Sequence, residues 1–188
     1  MYIIGVTGTL GAGKGTVVEY LVASRGFRHY SVRGFLREEL ERRNMPVNRD
    51  TLTAIANKLR ASHGPEYIAE QLYHRAKDTG QNCIIESIRT PGEIEALRKH
   101  QHFYLLAVDA DPRIRYQRIR KRNSETDNIS YGVFIKNEQR EMHTKDPNKQ
   151  NLAACIEQAD YVIYNNGSLD RLHQETENVL KKIGFPDS

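Results

Sequence analysis

At 188 residues the chain has the size of one domain and enough length to bury a core of its own. Its hydrophobic content is 38%, with no apolar run long enough for a helical membrane span, and its net charge of +4 permits a polyanion partner without arguing for one. Two cysteines, Cys83 and Cys155, fit no metal-binding spacing, so reduced thiols and a cytoplasmic location are expected.

The apolar run YIIGVT (2–7) predicts the first strand, and its early start leaves no room for a signal peptide. It leads directly into GTLGAGKGT (8–16) and then into a helix on which Val17, Val18, Leu21 and Val22 share a stripe. FRHYS (27–31) reads as the second strand, followed by the helical SVRGFLREE (31–39). RRNMPVNRD (42–50) fits neither strand nor helix. Leu52, Ile55 and Leu59 then mark a helix that ends at Gly64, and another begins at Pro65 with Ile68 and Leu72 on its face. CIIES (83–87) is the third strand; after it Thr90 is placed as an N-cap, with Pro91 at the first helical position and Glu93 set for a capping box. FYLLAVDA (103–110) is the fourth strand, and Asp111 and Pro112 open the next helix. RNSETDNIS (122–130) is polar and irregular, DYVIY (160–164) is the fifth strand, and Ser168 caps the last helix. Continuous apolar strands alternating with helices predict an α/β fold: a five-stranded parallel sheet with helices on both faces. The expected organisation is one domain over 1–188, with a helical segment at about 31–80 and a short lid at about 122–132.

The glycine-rich turn carries the strongest chemical signal. A bare backbone between a strand and a helix aims several unpaired N–H groups at one point, where the helix dipole also favours an anion. Gly8, Gly11, Ala12, Gly13, Lys14, Gly15 and Thr16 are therefore expected to cradle the phosphates of ATP, with Lys14 reaching the β- and γ-phosphates. The strict pattern G-x-x-x-x-G-K-[ST] fails at its last position: Gly15 follows Lys14, and the hydroxyl comes one residue later. One residue turns a helix by about 100°, so Thr16 is placed toward the α-phosphate, or toward Mg²⁺ through water.

GxxGxGKGT resembles the phosphate loop of adenylate kinases and related nucleoside monophosphate kinases, a branch of the P-loop NTPase fold, and other segments extend the resemblance along nearly the whole chain. SVRGFLREE is similar to the segment of those kinases whose arginine binds the accepting nucleotide's phosphate; Ser31 and Arg37 are the matching positions, Val32 and Gly34 depart from the pattern, and Arg33 lies four residues before Arg37 on the same helix face. IIESIRTPGE (84–93) resembles the next family segment, which implies Glu86 as the carboxylate that orients the waters on Mg²⁺ and Arg89 as a second arginine on the acceptor phosphate. This segment also resembles archaeal adenylate-kinase-like proteins.

DPRIRYQRIRKRN (111–123) packs six basic residues into ten positions, and Arg115, Arg118 and Arg122 share one helix face. The resemblance to the helix leading into an adenylate-kinase lid implies that Arg118 and Arg122 flank the adenine and stabilise the transferring phosphoryl group. No base-stacking aromatic cluster accompanies these arginines, which lowers a nucleic-acid reading. Arg140, in FIKNEQREM (134–142), is a further candidate phosphoryl contact. ADYVIYNNGSLDRL (159–172) is similar to the last strand and turn of dephospho-CoA kinases, which implies that Asn165, Asn166 and Gly167 wall the base.

Together these residues predict an ATP- and Mg²⁺-dependent kinase. Lys14, Arg89, Arg118 and Arg122 would act on the transferred group, and Ser31, Arg33, Arg37 and Arg89 would hold a phosphate-bearing small molecule. A phosphate acceptor is already anionic and needs cations rather than a base, which favours a nucleoside or deoxynucleoside monophosphate. Dephospho-CoA kinase and a non-catalytic nucleotide-binding switch remain open alternatives, and the protein is expected as a monomer or homodimer with neither nucleic-acid nor membrane partners.

Overall fold

The computed structural model describes residues 1–122 and 129–186. In chain order the elements are β1 (Ile3–Gly8), α1 (Lys14–Arg25), β2 (Arg28–Ser31), α2 (Val32–Arg42), α3 (Arg49–His63), α4 (Tyr67–Thr79) and β3 (Cys83–Glu86). The chain continues through α5 (Pro91–Leu97), β4 (Phe103–Asp109), α6 (Pro112–Arg122), α7 (Tyr131–Met142), α8 (Leu152–Glu157), β5 (Tyr161–Tyr164) and α9 (Leu169–Lys182). The strands form one sheet in the order β2-β3-β1-β4-β5, and every neighbouring pair is parallel. Each strand expected from the sequence is present, within one residue at either end.

The central strand β1 is buried along its whole length, and alternation of its side chains divides the interior in two. Ile3, Ile85 and Leu105 pack into a core with α2, α3, α4, α5 and Cys155 of α8. Ile4, Ile84 and Leu106 point the other way, onto Val17 and Leu21 of α1 and Leu172 and Val179 of α9. Each fully buried aliphatic side chain of this kind contributes about 1.5–3 kcal/mol. Cys83 and Cys155 are both unpaired and buried, and burial pushes each thiol up to about 12, so neither is a reactive thiolate.

The helix ends follow their caps. Thr90 accepts from the Glu93 N–H at 3.3 Å and the Glu93 carboxylate accepts from the Thr90 N–H at 3.1 Å, the expected capping box. Ser168 likewise accepts from the Arg171 N–H at 3.3 Å. Three details differ from expectation. Helix α3 begins inside the stretch read as irregular, because Asn48 and Thr51 form a capping box of their own. Helix α4 starts at Tyr67 rather than Pro65, after a turn in which the Tyr67 N–H bonds the Gly64 carbonyl at 3.2 Å. Val22 is 41% exposed rather than part of the buried stripe, since one residue beyond Leu21 the helix has turned by about 100°.

The helices α2, α3 and α4 fill the connection between β2 and β3, the segment expected to serve the acceptor. The short lid expected at about 122–132 falls mainly on residues outside those described. At its flanks Arg122 ends α6, and Ser130 caps α7 by accepting from the Val133 N–H at 3.3 Å.

Candidate active site

A cavity of about 680 Å³ opens beside the phosphate loop and the ends of β2 and β3, where an open parallel sheet takes its ligands. Its floor is the turn between β1 and α1. Gly8 and Gly13 have φ of 133° and 104°, angles that favour glycine. A Cβ on Gly8 would stand 2.0 Å from the Val108 carbonyl oxygen, and one on Gly13 would stand 2.4 Å from Nδ2 of Asn165. Gly13 also caps α1 with no side-chain hydrogen bond, so the first N–H groups of that helix keep their capacity for an anion.

Lys14 starts α1 and folds back over the loop, donating from Nζ to the carbonyls of Gly8 at 2.9 Å and Thr9 at 2.8 Å. Burial of the amine, reinforced by the Arg89 charge, lowers its pKa to about 7, although the residue keeps some surface on the cavity. Gly11, Gly13, Lys14, Gly15 and Thr16 all line the cavity. Ala12 is fully buried beneath them, with its carbonyl accepting from Asn165 Nδ2 at 2.8 Å.

From α6, Arg118 and Arg122 reach the same cavity. Arg118 donates to the Ala12 carbonyl and to Asn165 Oδ1, each at 3.4 Å. Arg115, expected on their face, is instead 2% exposed and braces the loop from behind. It donates to the Ala110 carbonyl at 2.7 Å, to the Leu10 carbonyl at 3.3 Å and to Glu138 of α7 at 3.0 Å. Asn165 is 7% exposed and lies beneath the loop, outside the cavity lining. Gly167 is also outside that lining; its neighbour is the Arg171 side chain.

The opposite wall carries Ser31, Arg33 and Arg89. The Ser31 hydroxyl oxygen caps α2, accepting from the Gly34 N–H at 3.2 Å. Arg89 donates from Nη1 to Glu141 of α7 at 2.7 Å and to Gln150 at 3.3 Å. Arg37 is not brought there: its side chain is 65% exposed and donates to Glu41 at 3.0 Å on the outer face of α2. Arg140 is likewise 58% exposed, 3.8 Å from Asp50, and lines a smaller neighbouring cavity. Its neighbour Glu141 faces the main one.

Glu86 ends β3 at the cavity, where its carboxylate accepts from His29 Nε2 at 3.0 Å. Burial alone would raise its carboxyl, but the His29 contact and the charges of Lys14 and Arg89 hold it below the usual range. Glu141 behaves alike: burial opposes ionisation, and Arg89 and Arg49 outweigh it. Among the described residues no three His, Cys, Asp or Glu side chains cluster as an all-protein metal cage. Thr16 and Glu86, both on the cavity, suit instead a cation held mainly by phosphate oxygens and water, the usual manner of Mg²⁺.

Several lining residues had no part in the sequence reading: Ser87, Arg49, Thr53, Arg60, Glu141 and Gln150. Ser87 has φ 74°, a costly angle outside glycine, held by its N–H bond to the Val6 carbonyl at 3.0 Å. Arg60 is 1% exposed and donates to Glu93, 0% exposed, at 2.8 Å. Removing one member of such a buried pair costs about 3–5 kcal/mol. Its signal was available: Arg49, Thr53, Ala56 and Arg60 recur at helical spacing.

A phosphate loop opening a helix, on a five-stranded parallel sheet with arginines from both sides, defines the P-loop kinase fold. Residues 4–146 match the AAA domain family, and the chain belongs to it. It is 31% identical over 185 residues to a UPF0200 protein of Methanothermobacter thermautotrophicus (strain ATCC 29096 / DSM 1053 / JCM 10044 / NBRC 100330 / Delta H), covering 97% of this chain and 91% of that one. Among solved structures it is similar to TT1252 from Thermus thermophilus, with a TM-score of 0.65, 20% identity, and 96% and 97% of the two chains covered. It is also similar to shikimate kinase from Bacteroides thetaiotaomicron, with a TM-score of 0.60, 14% identity, and 97% and 98% covered. At these identities the structural likeness is one of fold.

Proposed function

We propose that the chain transfers the γ-phosphoryl group of ATP to a phosphate-bearing small molecule, a nucleoside or deoxynucleoside monophosphate. One observation carries the reading: a single cavity is lined on one side by the phosphate loop with Lys14, Arg118 and Arg122, and on the other by Arg33 and Arg89. A binding module for one triphosphate would need only the first set; the second suits another anion beside it.

Phosphoryl transfer asks the protein to position two reactants and to balance charge on the moving group. The loop N–H groups and Lys14 would hold the β- and γ-phosphates, with Lys14 leaving its two carbonyl partners and taking its proton as the anion arrives. Arg118 and Arg122 would close on the transferring group from α6. Arg33 and Arg89 would set the acceptor phosphate in line. Mg²⁺, near Thr16 and Glu86, would neutralise charge on the β- and γ-oxygens.

Glu86 bears on the alternative of a hydroxyl acceptor, as in dephospho-CoA kinase. A carboxylate held below its usual pKa is a weak general base, and that supports an acceptor already anionic. An ADP-release screen over nucleoside monophosphates, deoxynucleoside monophosphates, dephospho-CoA and phosphomevalonate tests the reading. Stimulation by a monophosphate is the expected result; stimulation by dephospho-CoA alone, or slow hydrolysis that no acceptor accelerates, would overturn it.

A further inference from the structure

Among the described residues, three buried side-chain atoms have no hydrogen-bond partner in the protein: Arg49 Nε, Asn57 Oδ1 and Arg60 Nη1. All three belong to α3. Asn57 lines the smaller cavity, but Arg49 and Arg60 line the main one, on the stripe that also carries Thr53 and Ala56. Arg60 commits Nε and Nη2 to one oxygen of Glu93, at 3.3 and 2.8 Å, and keeps the N–H groups of Nη1 unspent although the residue is 1% exposed. A buried donor without an acceptor is destabilising, so a group that persists in this state calls for a ligand.

The surroundings say which kind. The other oxygen of Glu93 accepts from the Arg89 N–H at 2.8 Å, tying Arg60 and the Arg89 loop to one carboxylate. Glu141 bridges the side chains of Arg49 and Arg89. Three guanidinium groups thus stand against two carboxylates, one positive charge more than these carboxylates balance. A phosphate monoester offers three terminal oxygens to such a set, whereas a carboxylate has only two.

We propose that α3 binds the acceptor's phosphate through Arg60 and Arg49, together with Arg89, so that this helix takes the part the sequence pattern suggested for Arg37. The inference rests on the kinase reading above for the word acceptor, but its test does not. The full chain is saturated with a non-hydrolysable ATP analogue and titrated calorimetrically with inorganic phosphate, with acetate as the carboxylate arm. Wild type should bind phosphate and should bind acetate at least tenfold more weakly.

Arg60→Lys keeps a cation against Glu93 and loses the second limb; it should weaken phosphate tenfold or more while the analogue's affinity changes less than twofold. The pair Arg60→Met with Glu93→Gln removes both buried charges at once and retains a capping-box residue at position 93, and it should show the same selective loss. Absence of phosphate binding by wild type, equal binding of acetate, or wild-type phosphate affinity in either folded variant would overturn the inference. Because no turnover is needed, a chain without kinase activity would sink the proposed function and leave this result to stand or fall by itself.

Discussion

The two sides of the cavity are built from different materials. The side proposed for the triphosphate is mainly backbone, with glycine angles, helix-end N–H groups and one lysine within residues 8–16, joined by Arg118 and Arg122 from α6. The side proposed for the acceptor is side chains, with Arg33 from α2, Arg49 and Arg60 from α3, Arg89 after β3 and Glu141 from α7. A backbone cradle has its geometry before any ligand arrives. A cradle of arginine side chains repels itself until a ligand arrives, and Glu93 and Glu141 offset that repulsion. The first kind leaves no room for a side chain at Gly8, Gly11 or Gly13; the second can be retuned one residue at a time.

Perturbing each side tests that contrast. The largest effect should come from Lys14→Met, which removes the one cation of the loop: turnover with the best acceptor should fall on the order of 10²–10³-fold, and near-normal turnover would contradict the role given to Lys14. Next is Glu141→Gln. Releasing Arg49 and Arg89 from their shared counter-ion should lower the acceptor KM by about threefold or more while costing about 1–3 kcal/mol of stability. Steady-state kinetics and denaturant melts together check it, and a raised acceptor KM would show that Glu141 helps rather than competes.

A subtler difference concerns protons. With its pKa lowered from 10.5 to about 7, Lys14 binds fewer protons in the folded chain than in the unfolded one between those values. Its contribution therefore makes stability rise with pH across that window. A triphosphate that restores the charge should draw in a proton at pH 8, seen as a buffer-dependent binding enthalpy; Lys14→Met should abolish that dependence. The smallest effect is expected for Arg37→Ala. An exposed ion pair of this kind is worth little, and the acceptor KM should move less than twofold; a tenfold rise would return Arg37 to the acceptor site.

The same contrast decides what could be read from the sequence. The sheet was legible because each parallel strand is a continuous apolar run, and the loop because its nine residues are contiguous. The wall proposed for the acceptor was half legible. Arg33 and Arg89, read from neighbouring motifs, do line the cavity, whereas Arg37, four residues after Arg33 on α2, pairs with Glu41 and is 65% exposed. Arg60 was passed over because a buried arginine is recognised by its partner, and Glu93 lies 33 residues away. The sequence pattern of Glu93 shows its capping role, which it has, and gives no sign of its second duty. Arg115 failed in the opposite sense. Its spacing matched Arg118 and Arg122, yet Glu138, from another helix, turned it into a brace.

That double duty of Glu93 has an architectural consequence. One carboxylate seals the start of α5, anchors the Arg89 loop and steadies Arg60 in the interior. Any drift of α5 against the sheet would therefore be felt by both arginines together, as if they hung from one hinge pin. A descendant of this chain adapting to a bulkier guest would find its freedom at the rim, around Arg33 and Gln150, and almost none at this pin.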